Sequence, residues 1–161
     1  MSMQIRFAKA GDEIAIAALL EQIFTQHANG RPDLFGSGKS KYTAEDVLKL
    51  FDNPNEPIFV AADDNDRVLG YAFCMIKEFT SPARYKTLYL DDLNVDASAR
   101  RQGVATALMK ACRNYGKATG CYNLTLNVWA FNEGAIRFYE KNGFSHDDLA
   151  AQGAYSFVLR R

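Results

Sequence analysis

A segment in the middle of the chain has the residues of an anion-binding loop. An apolar stretch ends at Val95, and two arginines and Gly103 follow shortly afterwards. Amphipathic spacing after Gly103 predicts a helix, whose first N–H groups have no partner inside it and lie at the positive end of its dipole. The predicted phosphate site comprises Arg100, Arg101, Gln102, Gly103, Val104, Ala105 and Thr106. Glycine spacing alone favours an ordinary surface helix start with a glycine turn and two solvated arginines.

Three other side chains are suited to moving a proton. Asp91 and Asp92 precede the loop, and a carboxylate can act as a general base. Because successive strand residues point to opposite faces, a regular strand would turn only one of the two toward a substrate. Tyr139 lies seven residues after Asn132, so the two share a face of a predicted helix. Its phenol, with a pKa near ~10, stays protonated at neutral pH and can donate a proton.

Hydrophobic periodicity predicts the elements that position these residues. Strands are expected near 5–7, 58–62, 68–79, 87–95, 122–129 and 154–159, and helices near 12–27, 43–51, 103–119 and 132–142. The order is βααβββαβαβ. The strands at 58–79 form a predicted antiparallel hairpin, and the strand, helix and strand between 87 and 129 favour a right-handed parallel connection. The expected fold class is α/β (α+β), a single-domain mixed β-sheet flanked by helices.

Composition argues against several classes of protein. The 161 residues, 48% of them hydrophobic, suit one domain with its own core. Charge is balanced at 19 basic against 19 acidic residues, whereas nucleic-acid binders carry a basic surplus, so no nucleic-acid partner is expected. Three cysteines and two histidines are too few for a disulfide framework or a zinc site. No metal is expected.

The apolar segments are all short, and this bears on location. None approaches the ~20 residues of a membrane span. The first residues also lack the apolar core of a signal peptide. The sequence therefore predicts a cytoplasmic protein that does not associate with membranes.

A second glycine motif competes with the first. The segment Gly36-Ser37-Gly38-Lys39-Ser40 is similar to the end of a nucleotide-binding P-loop. That motif requires an earlier glycine where this chain has Asp33, and it should join a strand to a helix. Here it follows a predicted helix and lies in a loop. We therefore expect no nucleoside triphosphate site in this segment.

Two blocks of the sequence match known patterns in the same order. Residues 100–105 read Arg-x-x-Gly-x-Ala, and residues 132–144 contain Asn-x-x-Ala and then Phe-Tyr-x-x-x-Gly-Phe. Together they resemble the GNAT superfamily of N-acetyltransferases, the first block being similar to its acyl-CoA loop. The resemblance extends over residues 1–161 as one N-acetyltransferase domain. It implies the GNAT fold, acetyl-CoA as acetyl donor, and direct transfer to a primary amine in a ternary complex.

The resemblance also implies how the cofactor is held. Residues 100–106 would bind coenzyme A, and Asn132 would form a hydrogen bond with it. Backbone groups of Leu93 and Val95 would contact the oxyanion and the pantetheine arm. Tyr139 would touch the cofactor and give a proton to the departing thiolate.

For the proton from the amine, the resemblance implies a role for the paired carboxylates. Residues 89–93 read Tyr-Leu-Asp-Asp-Leu, similar to the Tyr-Leu-Glu-Asp-Ile of polyamine acetyltransferases, whose glutamate is the proposed base. That position is Asp91, one methylene shorter, so a water can be needed as a relay. Asp92 would then bind the acceptor. The family's strand bulges away from its neighbour here, which would let both carboxylates serve.

The acceptor itself stays open. The family's acceptor cleft is lined by the segment between the first two helices, here 28–42, which includes Arg31. The two aspartates favour a polyamine, whereas basic residues in that segment equally suit an amine that carries a carboxylate. A catalytically silent acyl-CoA-binding module and a regulatory protein or peptide N-acetyltransferase are the alternatives. Whether the protein forms a homodimer is also open.

Overall fold

The structure is a computed structural model, which describes residues 2–30, 33, 42–149 and 154–160. Within these residues it contains seven strands and four α-helices. In chain order they are β1 Met3–Phe7, α1 Glu13–Gly30, α2 Ala44–Leu50, β2 Ile58–Asp63, β3 Val68–Phe79, β4 Tyr85–Val95, a 3₁₀ turn Ala97–Ala99, α3 Val104–Ala118, β5 Asn123–Trp129, α4 Glu133–Lys141, β6 Ser145–Leu149 and β7 Ala154–Arg160. None of the helices in this part of the chain has the length and apolar character that a membrane span requires.

The predicted fold class is confirmed. The strand order is β1-β2-β3-β4-β5-β7-β6, with both parallel and antiparallel neighbours. All six predicted strands and all four predicted helices form close to their expected ends. The structure adds one strand, β6, ahead of the last predicted one. Its sequence, Ser-His-Asp-Asp-Leu, lacks the alternating apolar residues that predict a strand.

Residue contacts divide the chain into two compact units. The first contains Met1–Phe73 and Asp92–Ala111, and the second contains Cys74–Asp91 and Cys112–Arg161.

In the first unit, β1, β2 and the start of β3 pair antiparallel, as the predicted hairpin requires. Helices α1 and α2 and the strands of this sheet share one cluster of buried residues. Its members are Ile16, Leu19, Leu20, Val47, Ile58, Val60, Val68, Tyr71 and Phe73. Helix α2 begins with a capping box, in which Thr43 and Asp46 each accept a hydrogen bond from the other's backbone N–H. Gly70 has to be a glycine, because a Cβ there would lie 2.8 Å from the carbonyl oxygen of Asn94.

In the second unit, β5 pairs parallel with β4 and antiparallel with β7. The parallel pair confirms the predicted strand–helix–strand connection. Its registered pairs run from Thr87 with Asn123 to Leu90 with Leu126, whereas β4 itself runs on to Val95. The registered pairing of β4 with β5 therefore ends immediately before the two aspartates.

Candidate active site

The loop after β4 is fixed by hydrogen bonds before α3 begins. Asp96 accepts a 3.2 Å hydrogen bond from the Ser98 N–H and so caps the 3₁₀ turn. Arg67, just before β3, donates to Asp96 at 2.6 Å and to the Ser98 hydroxyl at 3.2 Å. Burial acts to raise the pKa of Asp96, but the Ser98 hydrogen bonds and the Arg67 charge outweigh it and lower that pKa. Arg67 was not among the predicted site residues, because nothing in its local sequence distinguishes it.

The start of α3 has the geometry that an anion site needs. Arg101 and Gly103 both adopt left-handed backbone conformations, with φ of 64° and 80°. The helix begins with a 3.0 Å bond from the Ala107 N–H to the Gly103 carbonyl. The N–H groups of 103–106 therefore have no acceptor inside the helix. Arg100, Arg101 and Gln102 are exposed beside them, so the structure brings the predicted phosphate residues together at one helix terminus.

The two carboxylates of β4 lie in different surroundings. Asp92 accepts a 2.7 Å hydrogen bond from the hydroxyl of Tyr71, which is completely buried. The charge of Asp91 acts on the buried thiol of Cys74. A contact with Cys112, burial and, least of all, the Asp91 charge together raise the pKa of Cys74. The alternation expected of a strand is interrupted here, because Asp91, Asp92 and the next residue are all half-buried.

Asn94 joins the end of β4 to α1. It is buried, its amide nitrogen donates to the Leu19 carbonyl at 2.8 Å, and its side-chain oxygen accepts the Val95 N–H at 2.9 Å. The backbone N–H of Val95, one of the groups predicted to face the cofactor, therefore already has an acceptor. Asn94 was not among the predicted site residues, although a polar residue between Leu93 and Val95 at the end of an apolar strand is an indication of such a role.

Asn132 and Tyr139 lie on the same short helix, as predicted. Asn132 is the N-cap of α4, and its side-chain oxygen accepts a 3.2 Å bond from the Ala135 N–H. This leaves its amide nitrogen as the group that can donate to a cofactor. Tyr139 is 8% exposed, and its ring packs edge-on against Phe138 and Phe144 at 5.3 and 5.6 Å. The ring is therefore part of the core, and a functional role depends on its hydroxyl.

Two sequence-based predictions cannot be placed. Arg31 and the segment 36–40 lie outside the described residues. Across the part of the chain that is described, no three His, Cys, Asp or Glu side chains cluster so as to hold a metal ion. The cysteines Cys74, Cys112 and Cys121 are free and buried.

Comparison with known proteins gives consistent matches. The acetyltransferase (GNAT) family model matches residues 20–144. YhfO, an uncharacterized N-acetyltransferase of Bacillus subtilis, is 31% identical over 145 residues, which cover 90% of this chain and 91% of YhfO. The tetramutant of the BH1408 protein from Bacillus halodurans has a TM-score of 0.85 at 26% identity, covering 91% of this chain and 96% of that one. PaiA N-acetyltransferase from Thermoplasma acidophilum, solved with coenzyme A, has a TM-score of 0.82 at 17% identity over 100% of both chains.

These matches establish first the fold and then the family. The likeness to BH1408 and PaiA shows the GNAT fold, which is the fold predicted from the sequence. The family model covers most of the chain, and the similarity to YhfO extends over 90% of it. The chain belongs to the acetyltransferase (GNAT) family, whose members use acetyl-CoA.

Proposed function

We propose that residues 1–161 form one N-acetyltransferase domain that transfers the acetyl group of acetyl-CoA directly to a primary amine. The observation that carries this proposal is the start of α3, where two exposed arginines precede backbone N–H groups without intrahelical acceptors. Such a terminus suits the phosphate groups of a pyrophosphate. Membership of the GNAT family indicates that the transferred group is acetyl.

Coenzyme A is held, in this proposal, by groups from several elements. The N–H groups of 103–106 and the side chains of Arg100 and Arg101 bind the pyrophosphate. The backbone of Leu93 and the carbonyl of Val95 contact the pantetheine arm, since the Val95 N–H already donates to Asn94. The Asn132 amide nitrogen donates a further hydrogen bond. Acetyl-CoA supplies an acetyl group activated as a thioester.

The chain's own residues move the protons. An alkylammonium with a pKa near ~10 must lose a proton before its nitrogen can attack, and a carboxylate of the Asp91–Asp92 pair accepts it. Sequence similarity favours Asp91 as the base and Asp92 in acceptor binding. The C–N bond forms as the C–S bond breaks, and the Tyr139 hydroxyl protonates the thiolate. The nitrogen then loses its second proton to water, and Tyr139 takes a proton back from water. The net change is an amide, a thiol and one proton released to water.

A panel of amines tests this proposal. Purified protein with acetyl-CoA is offered polyamines, amino acids and peptides with a free N-terminus, and released thiol is measured. We expect turnover with at least one amine and a much slower background without amine. Coenzyme A binding without turnover of any amine would instead identify a silent binding module. Preference for peptides would identify a protein or peptide N-acetyltransferase.

A further inference from the structure

We propose that Lys77, held over the ring of Tyr89, binds an anionic group of the acceptor, so that the preferred acceptor is an amine that carries a carboxylate and not a polyamine. This inference rests on the proposed function and names its substrate class. The sequence left these two kinds of acceptor open, and none of the family motifs contains Lys77.

The first observation is that the charge of Lys77 is held in a defined place. Its Nζ lies 3.9 Å from the centroid of the Tyr89 ring, well within the distance of about 6 Å at which an aromatic face attracts a cation. Asn127 donates a 3.3 Å hydrogen bond to the Tyr89 hydroxyl and so holds the outer end of that ring. Side chains from the neighbouring strands β3, β4 and β5 therefore position one ammonium group.

The second observation is that this ammonium group can still bind an anion. Lys77 is exposed, and no carboxylate among the described residues forms an ion pair with it. An ammonium group carries three N–H donors, and the tyrosine ring covers only one side of it. The other donors face a solvent-accessible surface, where a carboxylate of a bound ligand would accept them.

The third observation is that the cation lies on the same face of β4 as the proposed base. Helix α3 lies against the opposite face, since a Cβ at Gly116 would be 3.7 Å from the Leu88 side chain. Successive strand residues alternate between faces, so Tyr89 and Asp91 both point away from α3. In agreement, both are half-buried while Leu90 between them is buried. Two residues of a strand span about 7 Å.

These positions fit an acceptor that has charges of both signs. Asp91 attracts the ammonium group from which it takes a proton, and Lys77 attracts a carboxylate further back along the strand. A polyamine would instead bring a second ammonium group to Lys77 and be repelled. Because specificity is a difference between two affinities, this repulsion contributes to it as much as the attraction does.

Acceptors that differ only in charge test the inference with the intact chain. Glycine, β-alanine, γ-aminobutyrate and ε-aminocaproate are each compared with the corresponding amide, and putrescine represents the polyamines. The variants are Lys77→Gln and Lys77→Glu, with Lys117→Gln as the matched control because Lys117 is an exposed lysine of α3. Tyr89→Phe and Tyr89→Leu test the ring. We would measure kcat, both KM values and thermal unfolding for every protein.

The expected readout is the ratio of kcat/KM for the best carboxylate acceptor to that for its amide. Comparing this ratio between proteins cancels intrinsic differences in amine reactivity. Lys77→Gln should lower the ratio by about 5-fold, the upper range for an exposed ion pair, through the amine KM and with the acetyl-CoA KM unchanged. Lys77→Glu should reverse the preference and favour putrescine, whereas Lys117→Gln should match wild type.

The ring variants and added salt should behave in a related way. Tyr89→Phe keeps an aromatic face under the cation and should keep the carboxylate preference, whereas Tyr89→Leu should lose most of it. Added salt should weaken the preference of the wild type, because it screens exposed charges. The same salt should leave the ratio of Lys77→Gln unchanged.

Three results would overturn the inference. The first is a wild type that acetylates putrescine faster than every carboxylate acceptor at equal concentration. The second is a carboxylate preference that Lys77→Gln leaves unchanged. The third is an equal loss of preference in Lys117→Gln, which would indicate an effect of net charge and not of a site. Failure of the proposed function gives a different result, in which the wild type acetylates none of the amines and this inference falls with it.

Discussion

Replacing Gly103 with glutamate places a negative charge at the predicted phosphate site without a steric clash. A Cβ at Gly103 would meet no heavy atom within 4 Å, so packing does not oppose the new side chain. The positive φ of 80° does oppose it. A left-handed conformation costs an L-residue roughly 1–2 kcal/mol, and this lowers the free energy of unfolding.

The effect on coenzyme A binding should be larger and has a different cause. The glutamate carboxylate would lie beside N–H groups that are expected to bind phosphate, and it would repel the phosphate charge. Loss of a hydrogen bond to a charged group costs about 1.5–3 kcal/mol, which corresponds to an increase in Kd of about 10- to 100-fold. Gly103→Ala should keep most of the affinity, since it adds the strain without the charge.

Gly120 provides the control for backbone strain. It too is exposed, has a φ of 80° and has no heavy atom within 4 Å of a built Cβ. It follows the other end of α3, a helix about 22 Å long. Calorimetry with coenzyme A should show a large loss for Gly103→Glu and wild-type affinity for Gly120→Glu. Equal affinity in Gly103→Glu and wild type, or equal losses in the two variants, would refute the assignment of the phosphate site.

Three further predictions address the acid, the loop and a helix cap. Tyr139→Phe keeps the ring contacts with Phe138 and Phe144, so its affinity for coenzyme A should be that of wild type. Its turnover should fall by about 10²–10⁴-fold because the proton donor is lost. A Tyr139→Phe variant whose turnover at high pH equals that of wild type would contradict this role. Because the pKa of Asp96 is lowered in the folded protein, its stabilising effect is present above about pH 4 and is lost as pH falls through the folded pKa. Urea unfolding should therefore show that the difference in free energy of unfolding between wild type and Asp96→Asn becomes smaller on acidification. A difference that does not change with pH would contradict this role of Asp96. Thr43→Ala breaks the capping box of α2 and should lower the free energy of unfolding by about 1 kcal/mol, as measured by urea unfolding. An unchanged free energy of unfolding would mean that the capping box does not stabilise the protein.

The elements with regular apolar spacing were predictable from the sequence. Strand β3 was expected at 68–79 and forms over Val68–Phe79, because turn residues bound its apolar run on both sides. Helix α3 was predictable from its amphipathic spacing after Gly103. The start of this helix in turn gave the position of the predicted phosphate loop. Strand β6 was not, because it forms through pairing with β7 and not through a hydrophobic pattern of its own.

The contacts that orient the site could not be predicted in this way. Tyr71 and Asp92 are 21 residues apart, and a tyrosine in an apolar strand gives no indication that its hydroxyl binds an acid. The bond between Arg67 and Asp96 joins residues 29 apart. Such pairs depend on the register between strands, which local spacing does not specify. Sequence similarity identified candidate residues, but their surroundings required the structure.

Transfer of a labelled acetyl group tests the central claim most directly. The intact protein is incubated with acetyl-CoA labelled in its acetyl carbon and with the preferred amine, and both free thiol and labelled product are measured over time. The account predicts one labelled amide for each thiol released, no transfer without amine, and a greatly reduced rate of both products in Tyr139→Phe. Thiol release without a labelled amide would contradict it, because the protein would then be hydrolysing the thioester instead of acetylating an amine.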